Sequence, residues 1–180
     1  EGMLGVRLTF HRPENIEMIS NGVADWIWPE LVRLDLPAMV HAPTGLKLLA
    51  DIADAHPGLH IIIDHMGFAR ETMDDKVPAA VERLVALARC PNISVKVSAL
   101  PCYSTEPYPH RNLHDPLKRI IEAFGVERCF WGTDYSRLPA DSSYRKAVTM
   151  FTEELDFLKG DELDAVMGTS LARYLNWPKT

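Results

Sequence analysis

Five short apolar runs alternate along this chain with stretches whose apolar residues recur at helical spacing. Met3–Leu8 predicts the first strand. Asp25–Leu34 predicts a helix, with Pro29 early enough to be tolerated near its first turn. Leu36–Val40 predicts a second strand that delivers His41 at its end. Gly45–His56 has helical spacing and stops at Pro57-Gly58, a breaker pair. His60–Asp64 is continuous and β-branched, which suits a strand buried on both faces. The pattern then repeats: a helix over Val77–Ala88 with Pro78 in its first turn, a strand over Ile93–Val97, and a Pro-, Tyr- and Ser-rich loop over Ser98–Asn112. Asp115–Phe124 predicts a helix with Asp115 as N-cap and Pro116 at the first helical position. Cys129–Thr133 predicts the fifth strand, and Ser142–Leu155 and Asp161–Tyr174 the closing helices. Met150, Phe151, Trp26 and Trp28 read as core. The alternation predicts an α/β fold with a parallel sheet, one compact unit and no internal domain boundary.

In a parallel α/β sheet, function gathers at the carboxyl ends of the strands. The predicted ends carry His41, Asp64-His65, Lys96 with Ser98, and Asp134, while Arg7 lies on the first strand. Strict alternation puts Met39 with His41 on one face, Ile61 and Ile63 with His65, and Phe130 and Gly132 with Asp134. Three strands would then deliver two imidazoles and a carboxylate to one cavity, and Asp64, of opposite parity, would be a supporting residue. Each alone has a simpler explanation: a hydrogen-bonded structural His, or an Asp capping a turn. Together they suit Zn²⁺ or Mn²⁺. An imidazole off the metal can act as general acid or base. A catalytic zinc site commonly has three protein ligands, so this set looks one or two ligands short.

Charge and composition narrow the classes. The net charge of −6 argues against a non-specific nucleic-acid binder. No run of 18 apolar residues predicts a membrane span, and a cytoplasmic location is expected. Cys90, Cys102 and Cys129 are odd in number and widely spaced, which reads as free thiols in a reducing compartment. Nothing matches a dinucleotide-binding glycine motif, a P-loop or a serine-hydrolase elbow. At 180 residues the chain is shorter than the roughly 250 that a complete eight-unit barrel usually needs.

The stretches GVRL, LPAMVHAP, GLHIIIDHMG, NISVKVSAL, RCFWGTDYSRLP and DAVMGTSLARYLNWP resemble, in order, the amidohydrolase-related branch of the TIM-barrel metal-dependent hydrolases. The resemblance implies a partial TIM (β/α)8 barrel, strands four to eight with their helices. It implies that His41 is a metal ligand and that His65 contacts substrate or transfers protons. It implies that Asp134 is both a metal ligand and the proton acceptor for attacking water. A divalent ion, Zn or Mn, is the implied cofactor, although some members of the branch work without one. The family's His-x-His pair on strand one has no counterpart here. The expectation is therefore that residues 1–180 are the C-terminal part of a longer barrel whose first three strands are missing.

The function expected is metal-assisted hydrolysis of a small carboxylated lactone-like substrate. Arg7, Tyr103, Arg111 and Arg137 are the candidates for binding its carboxylate and hydroxyls, with Tyr108 and His110 nearby in the loop. Arginine suits planar bidentate recognition. A solvated surface loop is the plainer reading of the loop residues, and Arg7 could simply pair with a buried carboxylate. Two rivals stay open: a decarboxylase on the same scaffold, and an inactive fragment or binding module. Neither nucleic acid nor membrane is expected as a partner. An open sheet edge would allow pairing with a second copy.

Overall fold

A computed structural model of the chain describes residues 2–177. Strands β1 (Val6–Thr9), β2 (Ala38–His41), β3 (Ile61–Ile63), β4 (Ile93–Ser98) and β5 (Cys129–Gly132) form one sheet in that spatial order. Every adjacent pair is parallel. All five carboxyl ends therefore meet along one edge.

Helices α1 (Pro13–Ser20) and α2 (Ile27–Arg33) follow β1, α3 (Leu46–Ala55) follows β2, α4 (Val77–Val85) follows β3, and α5 (His114–Phe124) follows β4. Three helices close the described chain: α6 (Tyr144–Thr149), α7 (Gly160–Asp164) and α8 (Ser170–Tyr174). The strand register gives each face its residues, because paired residues on parallel neighbours point the same way. One face carries Ala38, Val40, Ile61, Ile63, Ile93, Val95, Val97 and Cys129, all fully buried in the core that the helices cover. The other carries Arg7, Met39, His41, Ile62, Ser94, Lys96, Ser98, Phe130 and Gly132. The C-terminal helix α8 reaches the lower part of this second face, where the Tyr174 ring packs on Phe130 at 5.2 Å and on His60 at 5.5 Å.

Several local expectations are corrected. The first strand starts at Val6, not Met3, and a helix that was not expected, α1, fills part of the stretch between β1 and α2. Helix α5 starts at His114 with Leu113 before it and no side-chain cap, so Asp115 sits in the first turn, where its charge still favours the helix dipole. Each predicted closing helix is interrupted by a π turn, over Met150–Glu154 and Ala165–Thr169. Trp28, Met150 and Phe151 are core, but Trp26 is 68% exposed. Cys90 and Cys129 are buried and Cys102 half-buried, all as free thiols. Among the described residues no helix is long and apolar enough to cross a membrane.

Arg128, just before β5, binds the strand layer to the helices beside it. Its guanidinium donates to the carbonyls of Phe124 (3.0 Å), Cys90 (2.9 Å), Ile93 (3.0 Å) and Ala88 (3.0 Å). The Ser98–Asn112 segment is likewise ordered. Asp74 receives bonds from the Thr105 amide (2.8 Å), the Thr105 hydroxyl (2.9 Å) and Asn112 Nδ2 (3.1 Å), which fasten this loop to the start of α4.

Candidate active site at the carboxyl ends of the strands

The chain leaves β3 through three successive left-handed residues, His65 (φ 50°), Met66 (φ 57°) and Gly67 (φ 65°). Such conformations are costly for residues with a Cβ and persist only where the surroundings enforce them. At Gly67 a Cβ would stand 2.7 Å from Leu46 Cδ2 and 3.3 Å from Ile63 Cγ2, so glycine avoids a clash on top of the positive φ. The turn also undoes the alternation argument. Ile61 and Ile63 belong to the helix-covered face, and Ile62 is the one beneath the site. His65 reaches the site because its backbone departs from the strand, not because it shares their parity. Asp134 (φ 50°), beyond β5, is left-handed too, as is Ala99 (φ 61°), directly after β4.

His65 stands at the centre. Its Nδ1 is 2.8 Å from Ser98 Oγ, and its Nε2 lies 3.4 Å from Asp64 Oδ2 and 3.6 Å from Asp134 Oδ2. The His41 ring meets it edge-on at 5.6 Å, and His11 stacks on His41 at 6.3 Å. Burial drives the His65 pKa down to about 4, with Lys96 and His41 adding to the effect against the pull of Asp64 and Asp134. Burial also lowers that of His41. Both imidazoles are therefore neutral near pH 7, the form in which they can bind a cation or donate a hydrogen bond.

Asp64 is fully buried beneath this cluster. Arg7 Nε donates to its Oδ2 at 2.9 Å, Arg7 Nη2 approaches the same oxygen at 2.7 Å, and Lys96 Nζ lies 2.8 Å from Oδ1. Burial opposes its ionisation, but Lys96, His65 and Arg7 outweigh that and hold the carboxyl below the usual carboxylate range. Asp134 faces Arg137 at 3.6 Å. Three cations thus stand against two carboxylates, and the site favours an anionic ligand. Gly132, opposite Ser98, leaves the space these side chains use. A Cβ there would lie 3.3 Å from Ser98 Cβ and 3.6 Å from Lys96 Cε.

Of the residues singled out from sequence, the structure brings Arg7, His41, His65, Asp134 and Arg137 together. Tyr103 joins indirectly: it is fully buried, with the Arg137 guanidinium 5.7 Å over its ring. Arg111 is not drawn in and faces Glu154 at 3.7 Å. Asp64 and Lys96 carry more of the site than sequence reasoning gave them. Each had a signal, since a charge inside or directly after a buried strand must have a partner. His11 had no such signal. Below the site on the same face lies a cavity of about 370 Å³ lined by Met39, Ile62, Lys96 and Phe130. A groove of about 1030 Å³ between α3 and α4 carries none of these residues.

The chain belongs to the amidohydrolase family, whose pattern it matches over residues 1–173. Its fold resembles that of an amidohydrolase from Burkholderia multivorans with bound zinc, with a TM-score of 0.83 at 20% identity, over 97% of this chain and 64% of that one. It also resembles a putative 2-pyrone-4,6-dicarboxylic acid hydrolase from Pseudomonas putida, with a TM-score of 0.75 at 22% identity, over 99% of this chain and 65% of that one. A dihydroxybenzoic acid decarboxylase from Polaromonas sp. JS666, with bound manganese and the inhibitor 2-nitroresorcinol, gives a TM-score of 0.56 at 13% identity, over 96% and 57%. The chain thus spans less than two thirds of each of these structures. No curated protein matches it.

A divalent ion fits the donor chemistry in part. His41 Nδ1 and Asp134 Oδ2 are buried polar atoms with no hydrogen-bond partner, and both are suited to zinc or manganese. Among the described residues, however, no group of three or more such side chains converges closely enough to hold an ion.

Proposed function

We propose that this chain carries the active-site half of a metal-assisted hydrolase that opens a small carboxylated lactone-like compound. The five parallel strands are read as strands four to eight of a (β/α)8 barrel. The observation that carries the function is the meeting of His41, His65 and Asp134 in a cluster of net positive charge. His41 and Asp134 would hold the divalent ion. Such an ion, when bound, lowers the pKa of water toward ~7 and polarises a carbonyl. Asp134 takes the proton of the attacking water. His65, neutral and next to Asp134, polarises the substrate carbonyl or protonates the leaving oxygen. Arg7, Lys96 and Arg137 draw in the substrate's carboxylate, and Tyr103 supports Arg137 from below.

A second reading, a decarboxylase on the same scaffold, has the likeness to the Polaromonas enzyme in its favour. The products separate the two. Incubation with a carboxylated 2-pyrone should release a proton and abolish the ring absorbance, and His65→Ala or Asp134→Ala should remove this activity. Release of CO₂ without ring opening would select the decarboxylase. Full ring-opening activity in both variants would sink the site assignment.

A further inference from the structure

Ser98 is one of the most buried polar residues of the molecule, at 1% exposure, and its hydroxyl touches the imidazole at the centre of the site. A neutral imidazole carries one proton, on either ring nitrogen, and its neighbours decide which. Around His65 those neighbours are unequal. Nε2 faces Asp64 Oδ2 at 3.4 Å and Asp134 Oδ2 at 3.6 Å, and a carboxylate can only accept. A bare lone pair on Nε2 would stand within 3.6 Å of two negative oxygens. A proton on Nε2 turns both repulsions into attractions. Nδ1 faces only the Ser98 hydroxyl, which can donate or accept.

We infer that Ser98 is a positioning residue that donates its hydroxyl proton to His65 Nδ1 and holds the ring as the Nε2–H tautomer. His65 then enters the reaction as a hydrogen-bond donor and acid, which leaves Asp134 as the base of the site. Gly132 is part of the same device. A Cβ there would lie 3.3 Å from Ser98 Cβ, a tight contact that glycine avoids. The inference rests on the proposed function only for its catalytic meaning, because the tautomer is a property of the chain itself.

The test is a long-range ¹H–¹⁵N correlation spectrum of the ¹⁵N-labelled 180-residue chain near pH 7, with the His65 signals assigned by their loss in His65→Ala. Wild type should show a protonated Nε2 and an unprotonated Nδ1 shifted upfield by an accepted hydrogen bond. In Ser98→Ala the Nδ1 resonance should move downfield, as a nitrogen without its donor does, while Nε2 stays protonated. Ser98→Thr, which keeps the hydroxyl, should restore the wild-type position. A proton on Nδ1 in wild type would overturn the inference, as would an Nδ1 resonance that Ser98→Ala leaves in place. Turnover decides the proposed function separately. Ring opening that needs His65 alongside a proton on Nδ1 would refute the tautomer alone. An Nε2–H ring alongside ring opening that survives in His65→Ala would refute the site assignment alone.

Discussion

Asp64→Asn removes one negative charge at nearly constant shape and leaves Lys96 and Arg7 facing an amide. Breaking a fully buried ion pair costs about 3–5 kcal/mol, because the remaining charge is stranded away from water. Neither cation is fully buried here: the Lys96 side chain is 26% exposed and that of Arg7 54%, so both can recover part of their hydration. The cost is accordingly reduced to about 2 kcal/mol. For a domain of this size that corresponds to a melting temperature lower by about 4–8 °C. The effect should depend on pH in one direction. The folded-state pKa of Asp64 is depressed, so its contribution is complete above the unfolded carboxylate pKa of about 3.9. It fades as pH falls through the lower folded value. Thermal unfolding of wild type and variant should therefore differ fully at pH 6–7 and converge in acid below about pH 4. Equal melting at pH 7 would refute the account of Asp64 as a net stabilising charge. A gap that stays constant into acid would show that the loss is steric and not electrostatic.

Two further expectations concern the scaffold. Gly67→Ala combines a positive φ with a Cβ 2.7 Å from Leu46 Cδ2, so it should lower stability by about 1–3 kcal/mol in urea unfolding, and an unchanged midpoint would contradict the strain argument. Arg128→Lys cannot reproduce a fork that reaches four carbonyls, and it should cost about 2–3 kcal/mol by the same assay, with a wild-type midpoint counting against that role.

The hydrophobic pattern alone determined the βα alternation, the five strands and their parallel arrangement. Runs such as Ile61–Ile63 and Ile93–Val97 have few other ways to bury their side chains than a sheet beneath helices. It also determined that polar residues stand at the strand ends, because strand-end position is a local property of the chain. What it could not determine was direction. The alternation rule would send His65 to the helix-covered face with Ile61 and Ile63, and three left-handed residues after β3 turn it to the site instead. Those conformations are enforced by packing, such as Leu46 against Gly67, between residues 21 positions apart. Arg7 and Lys96 are likewise 57 and 32 positions from Asp64, and only the sheet, placing β1, β3 and β4 so that all three reach one point, makes them a charge cluster. The choice of donor at Ser98 goes one step further. It depends on two carboxylates on different strand ends facing the same nitrogen, an electrostatic relation that exists only in three dimensions.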